Sequence, residues 1–181
     1  ITYGGLMEYR ELKYDELNIG LFNKFIRHQE VTKCWRKENG KWVIKDIPFI
    51  DDWNEDEYNI LLNYLKNTIK TKGVVYGAFL NNTLKGFASV EYGFIDNKNQ
   101  YFDLSSLHVS EDMRGNGIGK TLFEMAAKWA KASEAKKLYI SAHSSIETQA
   151  FYKAMGCIEA LEYNKEHVEN EPCDCQLEYK L

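Results

Sequence analysis

Proline is scarce in this chain, with only 2 residues in 181. We find no linker, low-complexity tract or internal repeat, which are the usual marks of a multidomain or disordered chain. The length suits one domain with a sizeable core. We place that domain at residues 7–181, because residues 1–6 show no clear pattern and resemble a non-native or disordered start.

Long apolar runs are also absent. No stretch approaches the roughly 20 apolar residues that a membrane-spanning helix requires, and the N-terminus has no signal-peptide profile. The net charge is only −4, and no stripe of Lys and Arg offsets it. We therefore expect a cytoplasmic protein that binds neither membranes nor nucleic acids.

The cysteines show no C-x-x-C spacing. There are four of them, namely Cys34, Cys157, Cys173 and Cys175. Cys173 and Cys175 would point the same way on a strand, with His167 nearby, so a metal clip is one interpretation. Free thiols in a reducing compartment are the favoured interpretation, and we expect no metal.

The first part of the chain predicts a strand, two helices and a hairpin. Residues 7–13 have strand character, and residues 14–30 have apolar side chains at near-helical spacing. Asn39-Gly40 predicts a tight hairpin turn. Asn54 followed by Glu57 resembles a capping box that begins a second helix. The expected inner face of this helix consists of Ile60, Leu61, Tyr64, Leu65 and Thr68.

Strands dominate from residue 73 onward. Residues 73–80 and 83–94 flank the turn Asn81-Asn82, and residues 100–109 form a third strand. After a glycine-rich loop, a helix presents Ile118, Leu122, Met125, Ala126 and Trp129 on one face.

The remaining pattern predicts a strand over 136–142, a helix, and strands over 157–163 and 175–181. Ser144 and Glu147 suggest a capping box for this helix, and Gly156 suggests its end. The element order predicts a mixed α/β domain in which an antiparallel meander leads into a strand–loop–helix–strand unit.

The glycine-rich loop "RGNGIGKT" is typical of an anion site at a helix N-terminus. A triphosphate-binding P-loop would need glycine where Arg114 stands. The dinucleotide pattern G-x-G-x-x-G fails as well, because its third glycine falls on Lys120. Phosphotransfer is therefore disfavoured. The pattern that fits is Arg-x-x-Gly-x-Gly, formed by Arg114, Gly117 and Gly119.

Here the sequence resembles the GNAT superfamily of N-acetyltransferases. "HVSEDMRGNGIGKTLFEMAAKWA" is similar to its signature loop and helix, and "AFYKAMGC" carries the second motif, Phe-Tyr-x-x-x-Gly. The resemblance runs from about residue 74 to residue 162. It implies a central mixed, mostly antiparallel sheet flanked by helices.

The resemblance also implies acetyl-CoA as co-substrate, with its pyrophosphate on the loop and its pantetheine arm along the preceding strand. Ser145 stands where the family often has Asn, and Cys157 where it usually has Phe. The implied cofactor-binding residues are Leu107, His108, Val109, Arg114, Gly115, Asn116, Gly117, Ile118, Gly119, Lys120, Ser145, Tyr152 and Lys153.

Direct attack of an amine on the thioester needs an acid for the leaving thiolate and a route for the amine's proton. The resemblance implies Tyr152 as the acid. Asp103 is the first candidate base, since it shares a strand with Val109 and, by alternation, its face. Glu91 is the rival, and a water chain without a dedicated base is the third option.

The expected acceptor is a primary amine of a small molecule or peptide. Trp35, Asp52 and Trp53 are candidate acceptor-binding residues, because acidic groups beside aromatic rings attract cations. The same acidic residues also suit a solvated helix N-terminus. By analogy with the fold, a homodimer is expected. The alternative function is a non-catalytic acyl-CoA sensor or partner-binding module.

Overall fold

The computed structural model describes residues 5–181, so most of the expectation for residues 1–6 lies outside the described residues. Two groups of three consecutive strands are followed by a part of the chain in which helices and strands alternate. Their bounds are β1 (Met7–Glu11), β2 (His28–Glu38), β3 (Lys41–Asp52), α1 (Glu55–Lys70), β4 (Val74–Leu80), β5 (Thr83–Val90), β6 (Tyr101–Val109), α2 (Ile118–Ala132), β7 (Lys137–Ala142), α3 (Ile146–Met155), β8 (Ile158–Glu159), α4 (Lys165–Asn170) and β9 (Cys175–Lys180).

A seven-stranded sheet in the order β1-β4-β5-β6-β7-β9-β8 forms the centre. Within this sheet only β6 and β7 are parallel, and all other neighbouring strands are antiparallel. Helices α2 and α3 cover one face with the largest core cluster, while α1 and α4 pack on the other. This arrangement confirms the predicted mixed, mostly antiparallel sheet flanked by helices.

The predicted helix over residues 14–30 is wrong. Two short 3-10 turns, Tyr14–Glu16 and Ile19–Phe22, precede strand β2 instead. Asn18 and Gly20 fall inside this segment, and both residue types favour turns over a helix interior. The apolar spacing reflects anchoring to the core rather than helical periodicity. Its buried side chains are Leu17, Phe22 and Phe25.

Both predicted tight turns are confirmed. Asn39 and Gly40 have φ angles of 49° and 77°, and Asn81 and Asn82 have 49° and 62°. These positive values are what a two-residue hairpin turn requires. The first turn joins β2 to β3, which form a separate two-stranded sheet. The backbone N–H of Trp35 ties this hairpin to the rest of the chain by donating to the Ser144 carbonyl at 2.8 Å.

Helix α1 begins as predicted, and its buried face is the predicted one in part. Asn54 accepts from the backbone of Glu57, and the Glu57 side chain accepts from the backbone of Asn54, which completes the capping box. Ile60 and Tyr64, expected inside, are 56% and 69% exposed. The predicted Leu61, Leu65 and Thr68 do face the core. The residues that the prediction left out of this face are Tyr58, Leu62 and Ile69.

Helix α3, which carries the second motif, begins one residue later than predicted. Ser145, not Ser144, caps it by accepting from Thr148 N–H at 3.3 Å. Ser144 is instead buried and accepts from Arg36 at 2.6 Å. Gly156 ends the helix with φ of 95°, as predicted.

The C-terminal region differs from the prediction in one strand. The strand expected over residues 157–163 is reduced to the two residues of β8 and is followed by helix α4, which no sequence pattern indicated. Strand β9 is confirmed. Within residues 5–181, no helix has both the length and the apolar character needed to cross a bilayer.

Replacing Asn54 by alanine should lower the free energy of unfolding by about 1 kcal/mol, because the side-chain oxygen that satisfies the Glu57 N–H is lost. Chemical denaturation measures this change. Asn54→Ser is the matched control, since it keeps an oxygen acceptor and should retain most of the stability. Equal losses in both variants would contradict the capping role.

Candidate active site

The parallel strands β6 and β7 pair only over a short distance. Tyr101–Asp103 lies in register with Lys137–Tyr139, and no further pairing joins the two strands. Beyond that point a cleft of about 730 Å³ opens, with residues 104–109 of β6 on one wall and 140–143 of β7 on the other. Along the cleft, each strand has a backbone edge that the neighbouring strand does not occupy.

A β-bulge lies where the two strands separate. On the β5 side, Ser106 pairs with Ser89 while Leu104 pairs with Val90, so Ser105 is an extra residue in β6. A bulge bends a strand and increases its local twist. This one therefore directs the end of β6 away from β7.

The bulge also reverses the alternation of side chains along β6. Leu104 and Leu107 both pack into the core beneath α2 and α3, although three residues separate them. Asp103 therefore shares a side with His108, and not with Leu107 and Val109. The expected common face of Asp103 and Val109 is wrong, because one inserted residue inverts the alternation.

The glycine loop lies at one end of the cleft. Gly115 and Gly117 both have φ of 79°, and a Cβ atom at either position would meet no atom within 4 Å. Gly117 immediately precedes α2, whose first N–H groups have no partner within the helix. At Gly119 a Cβ would lie 3.1 Å from the Phe151 ring, so this glycine allows α2 to pack against α3.

Some polar side chains of the loop line the cleft and others do not. Arg114 and Lys120 line the cleft, and Arg114 Nε donates to the Val109 carbonyl at 3.3 Å. Burial and the neighbouring positive charge of Arg27 lower the pKa of Arg114. Asn116 does not line the cleft, because its amide donates to the Met113 carbonyl at 3.0 Å and holds the loop together.

Tyr152 of α3 lines the cleft and is 7% exposed. Burial raises its pKa well above the ordinary value of 10, so the hydroxyl stays protonated at neutral pH. No hydrogen-bond partner for this hydroxyl is found among residues 5–181. Ser145 lies behind the cleft wall as the cap of α3, and Lys153 is exposed outside the cleft.

The three predicted strand residues, Leu107, His108 and Val109, all line the cleft. The His108 ring packs against Trp53 and Phe87, with ring centroids 4.7 and 5.3 Å away. Burial, together with the charges of Arg27 and Arg114, lowers its pKa to about 3. His108 is therefore neutral at physiological pH and a poor proton acceptor.

The two predicted carboxylates differ in their access to the cleft. Asp103 does not line it, and its Oδ2 lies 2.9 Å from Nε2 of His167. Glu91 accepts from Thr68 Oγ1 at 2.6 Å and from Ser105 Oγ at 2.9 Å. Since Ser105 lines the cleft, Glu91 is connected to it through that hydroxyl.

Two further polar groups lie on the β7 wall, and sequence reasoning missed the first of them, Ser141. Ser141 lines the cleft and donates to Asp174 Oδ2 at 3.0 Å. His143 also lines it, and its Nδ1 accepts from the Ser145 N–H at 3.0 Å, which leaves the ring proton on Nε2. The one sequence signal for this wall was Ser141, a polar residue within the otherwise apolar end of the β7 pattern.

A second, more open cavity of about 630 Å³ adjoins the cleft. Asp52 and Trp53 line it together with Glu111, whereas Trp35 does not. Arg27 lines both cavities and stacks over the Trp53 ring at 4.8 Å. Two of the three predicted acceptor-binding residues therefore lie together next to the cleft.

The alternative interpretation of Cys173 and Cys175 as a metal clip has no support in the geometry. His167 bonds to Asp103 rather than to a cysteine. Across residues 5–181, no three His, Cys, Asp or Glu side chains come together as metal ligands. What the site does offer is a long cleft with unpaired strand edges, an anion-binding helix terminus at one end and a protonated tyrosine on its wall.

Several solved structures with a similar fold are described as acetyltransferases. A Bacillus anthracis protein described as a streptothricin acetyltransferase, in complex with acetyl coenzyme A, has a TM-score of 0.70 at 16% identity, with 97% of each chain covered. Nourseothricin acetyltransferase gives 0.63 at 15% identity, with 95% of each chain covered. PaiA N-acetyltransferase from Thermoplasma acidophilum, with coenzyme A, gives 0.61 at 18% identity and covers 97% of this chain and 99% of its own.

The comparison with curated protein sequences gives no significant match. The comparison with family models does give one, to the acetyltransferase (GNAT) family over residues 27–157. The matched residues make up well over half of the chain and include the cleft, the glycine loop and Tyr152. This protein therefore belongs to the GNAT acetyltransferase family.

Proposed function

We propose that this protein transfers the acetyl group of acetyl-CoA to a primary amine. The observation that carries the proposal is the cleft between β6 and β7, which joins the open glycine loop to Tyr152. Family membership supports acetyl transfer in general. The amine acceptor and the residue roles below are our proposal.

The residues present fit the coenzyme. Gly115 and Gly117 leave open space in front of a helix N-terminus, where a diphosphate can accept backbone N–H groups. Arg114 and Lys120 line the adjoining wall and add positive charge. From Leu104 onward, the β6 edge that faces the cleft has no partner strand and can pair with the amide groups of a pantetheine arm.

Bound acetyl-CoA supplies an activated acyl group as a thioester. We assign Tyr152 as the donor of a proton to the departing sulfur, because this residue lines the cleft and its hydroxyl remains protonated. The free backbone edge of residues 107–109 offers N–H groups to the oxygen that becomes negative. One such preorganised donor typically contributes about 3 kcal/mol to lowering the barrier.

The cysteines do not support a covalent enzyme intermediate. Burial raises the pKa values of Cys157 and Cys175 to about 12, so both remain thiols rather than nucleophilic thiolates. Among the described residues, no cysteine lines the cleft. We therefore propose direct attack of the amine on the thioester.

The proposed acceptor is a cationic small-molecule or peptide amine that enters from the second cavity. Asp52 and Glu111 contribute negative charge there, and Trp53 offers an aromatic face. Two structural neighbours are acetyltransferases of streptothricin and nourseothricin, which supports a small-molecule amine of this kind.

Acetyl-CoA should raise the thermal midpoint of unfolding, whereas ATP with Mg²⁺ should not. Ligand at about 100 times its dissociation constant stabilises a protein by roughly 2.7 kcal/mol, which is readily measured. The companion assay is thiol release with streptothricin, spermidine and a lysine-containing peptide. Binding of acetyl-CoA without release of thiol would favour a non-catalytic acyl-CoA sensor. Stabilisation by ATP alone would contradict the proposal.

Gly117→Ala should raise KM for acetyl-CoA about tenfold, because a Cβ would occupy the open side of the loop and alanine is strained at this φ angle. Gly40→Ala is the matched control. Gly40 has φ of 77° and equally open surroundings, but lies in the hairpin turn. Denaturation should show similar losses of stability in both variants. Similar rises in KM in both would contradict the role of the loop.

Tyr152→Phe should lower kcat on the order of 10²-fold, with KM for acetyl-CoA nearly unchanged, because the proton donor is lost while the ring remains. The control is Tyr179→Phe, which removes a hydroxyl from the same core but outside the cleft. Steady-state kinetics at neutral pH measures both. An unchanged kcat in Tyr152→Phe would rule out the acid role.

A further inference from the structure

Each wall of the cleft carries a serine that is hydrogen-bonded to a carboxylate. On the β6 wall, Ser105 donates to Glu91 at 2.9 Å. On the β7 wall, Ser141 donates to Asp174 at 3.0 Å. An attacking amine is protonated in water at neutral pH, so transfer requires a group that removes its proton. In each pair, a carboxylate that does not itself line the cleft is connected to it through one serine hydroxyl.

We propose that Asp174, acting through Ser141, accepts the proton that the acceptor ammonium loses before attack. This inference rests on the proposed function and assigns a positioning and proton-accepting role within it. Asp174 does not itself line the cleft, and Ser141 is the group that contacts the substrate.

The direction of the hydrogen bonds supports this assignment. The backbone N–H of Asn164 donates to Tyr139 Oη at 2.9 Å, so the Tyr139 hydroxyl donates onward to Gln176 Oε1. This orients the Gln176 amide, whose Nε2 donates to Ser141 Oγ at 3.2 Å. The Ser141 proton is therefore directed to Asp174. A remaining lone pair of Ser141 Oγ is left to accept from an ammonium in the cleft.

Strand pairing holds the two partners together. Ser141 pairs with Gln176 and Ala142 with Cys175, so Asp174 lies just before β9 at the open end of β7. Tyr152 lies close enough for the Asp174 charge to contribute to its raised pKa. The proposed acid and the proposed proton acceptor therefore belong to the same end of the cleft.

The surroundings of Asp174 make it a stronger base than a free carboxylate. Burial is the main cause of its raised pKa, and the nearby charge of Glu171 acts in the same direction. The hydrogen bond from Ser141 and the imidazoles of His143 and His167 act in the opposite direction but are outweighed. A raised pKa reduces the mismatch with the acceptor amine.

Other titratable groups near the cleft are less suited to the role. Glu30 and Glu147 line the cleft directly, but both are exposed to solvent and the structure buries neither beside the β7 wall. His143 uses Nδ1 as an acceptor and therefore carries its proton on Nε2. Asp103 is bound to His167 and does not line the cleft. Glu91 is the competitor, but it accepts two hydroxyl groups, and Ser105 lies 2.7 Å from Ser89 as well as bonding to Glu91. Cys175, next to Asp174, remains a thiol.

The proton step is balanced. An N–H bond of the ammonium breaks as its proton passes to Ser141 Oγ, and the original Ser141 proton passes to Asp174 Oδ2. The products are a neutral amine, a neutral serine and a protonated Asp174. The Asp174 side chain is half-buried, so it can return the proton to solvent.

Asp174→Asn and Ser141→Ala should each lower kcat/KM for the amine about 10²-fold at pH 7, with KM for acetyl-CoA unchanged. The loss should shrink as pH rises toward the amine pKa of about 10.4, because the free amine no longer needs a base. Asp174→Glu should restore part of the activity. Thiol release with streptothricin, spermidine and a lysine-containing peptide measures each pH profile, and thermal stabilisation by acetyl-CoA verifies folding.

Two further variants separate this role from a structural one. Glu171→Gln removes a charge that raises the Asp174 pKa, so the acid limb of the pH profile should move to lower pH. Glu91→Gln tests the competing pair on the β6 wall. A wild-type pH profile in Asp174→Asn would overturn the inference, as would a pH-dependent loss confined to Glu91→Gln. A wild-type protein that binds acetyl-CoA but releases no thiol with any of the three amines would instead overturn the proposed function.

Discussion

The early end of the parallel pairing between β6 and β7 is the constraint on which the site depends. A continuous pair would place the backbone groups of both strands in hydrogen bonds and leave no cleft. Because Ser105 is inserted into β6, the strand bends after three paired positions and the two edges separate. The glycine loop follows one of these strands and α3 follows the other. Both therefore meet at the same opening.

The inserted residue Ser105 also determines which side chains of β6 lie on each face of the sheet beside the cleft. After it, Leu107 and Val109 pack toward α2, while His108 packs toward Trp53. Packing against two aromatic rings partly buries the His108 imidazole, and burial favours its neutral form. In our proposal the base is therefore a carboxylate at the margin of the cleft, where partial exposure lets it exchange protons with water.

Features set by a few neighbouring residues could be predicted from the sequence. The turn at Asn39-Gly40, the cap at Asn54 and the glycine loop all follow from local backbone chemistry. The bulge at Ser105 could not, because it depends on which β5 residue pairs with each β6 residue. Asp174 was missed for a similar reason. It lies 33 residues from Ser141 in the chain, and only the pairing of β7 with β9 brings them together.

The polar chain from Asn164 to Asp174 links the stability of the fold to the chemistry of the site. Tyr139 and Gln176 are almost fully buried, so their polar atoms require partners. A backbone N–H begins the chain and cannot reverse its role, which sets the direction of every later bond. The hydrogen bonds that these buried groups require thus also orient the Ser141 hydroxyl at the surface of the cleft. An apolar pair at these two positions could pack equally well, but it would remove the hydrogen bond that Ser141 accepts from Gln176, and Asp174 alone would then hold the hydroxyl.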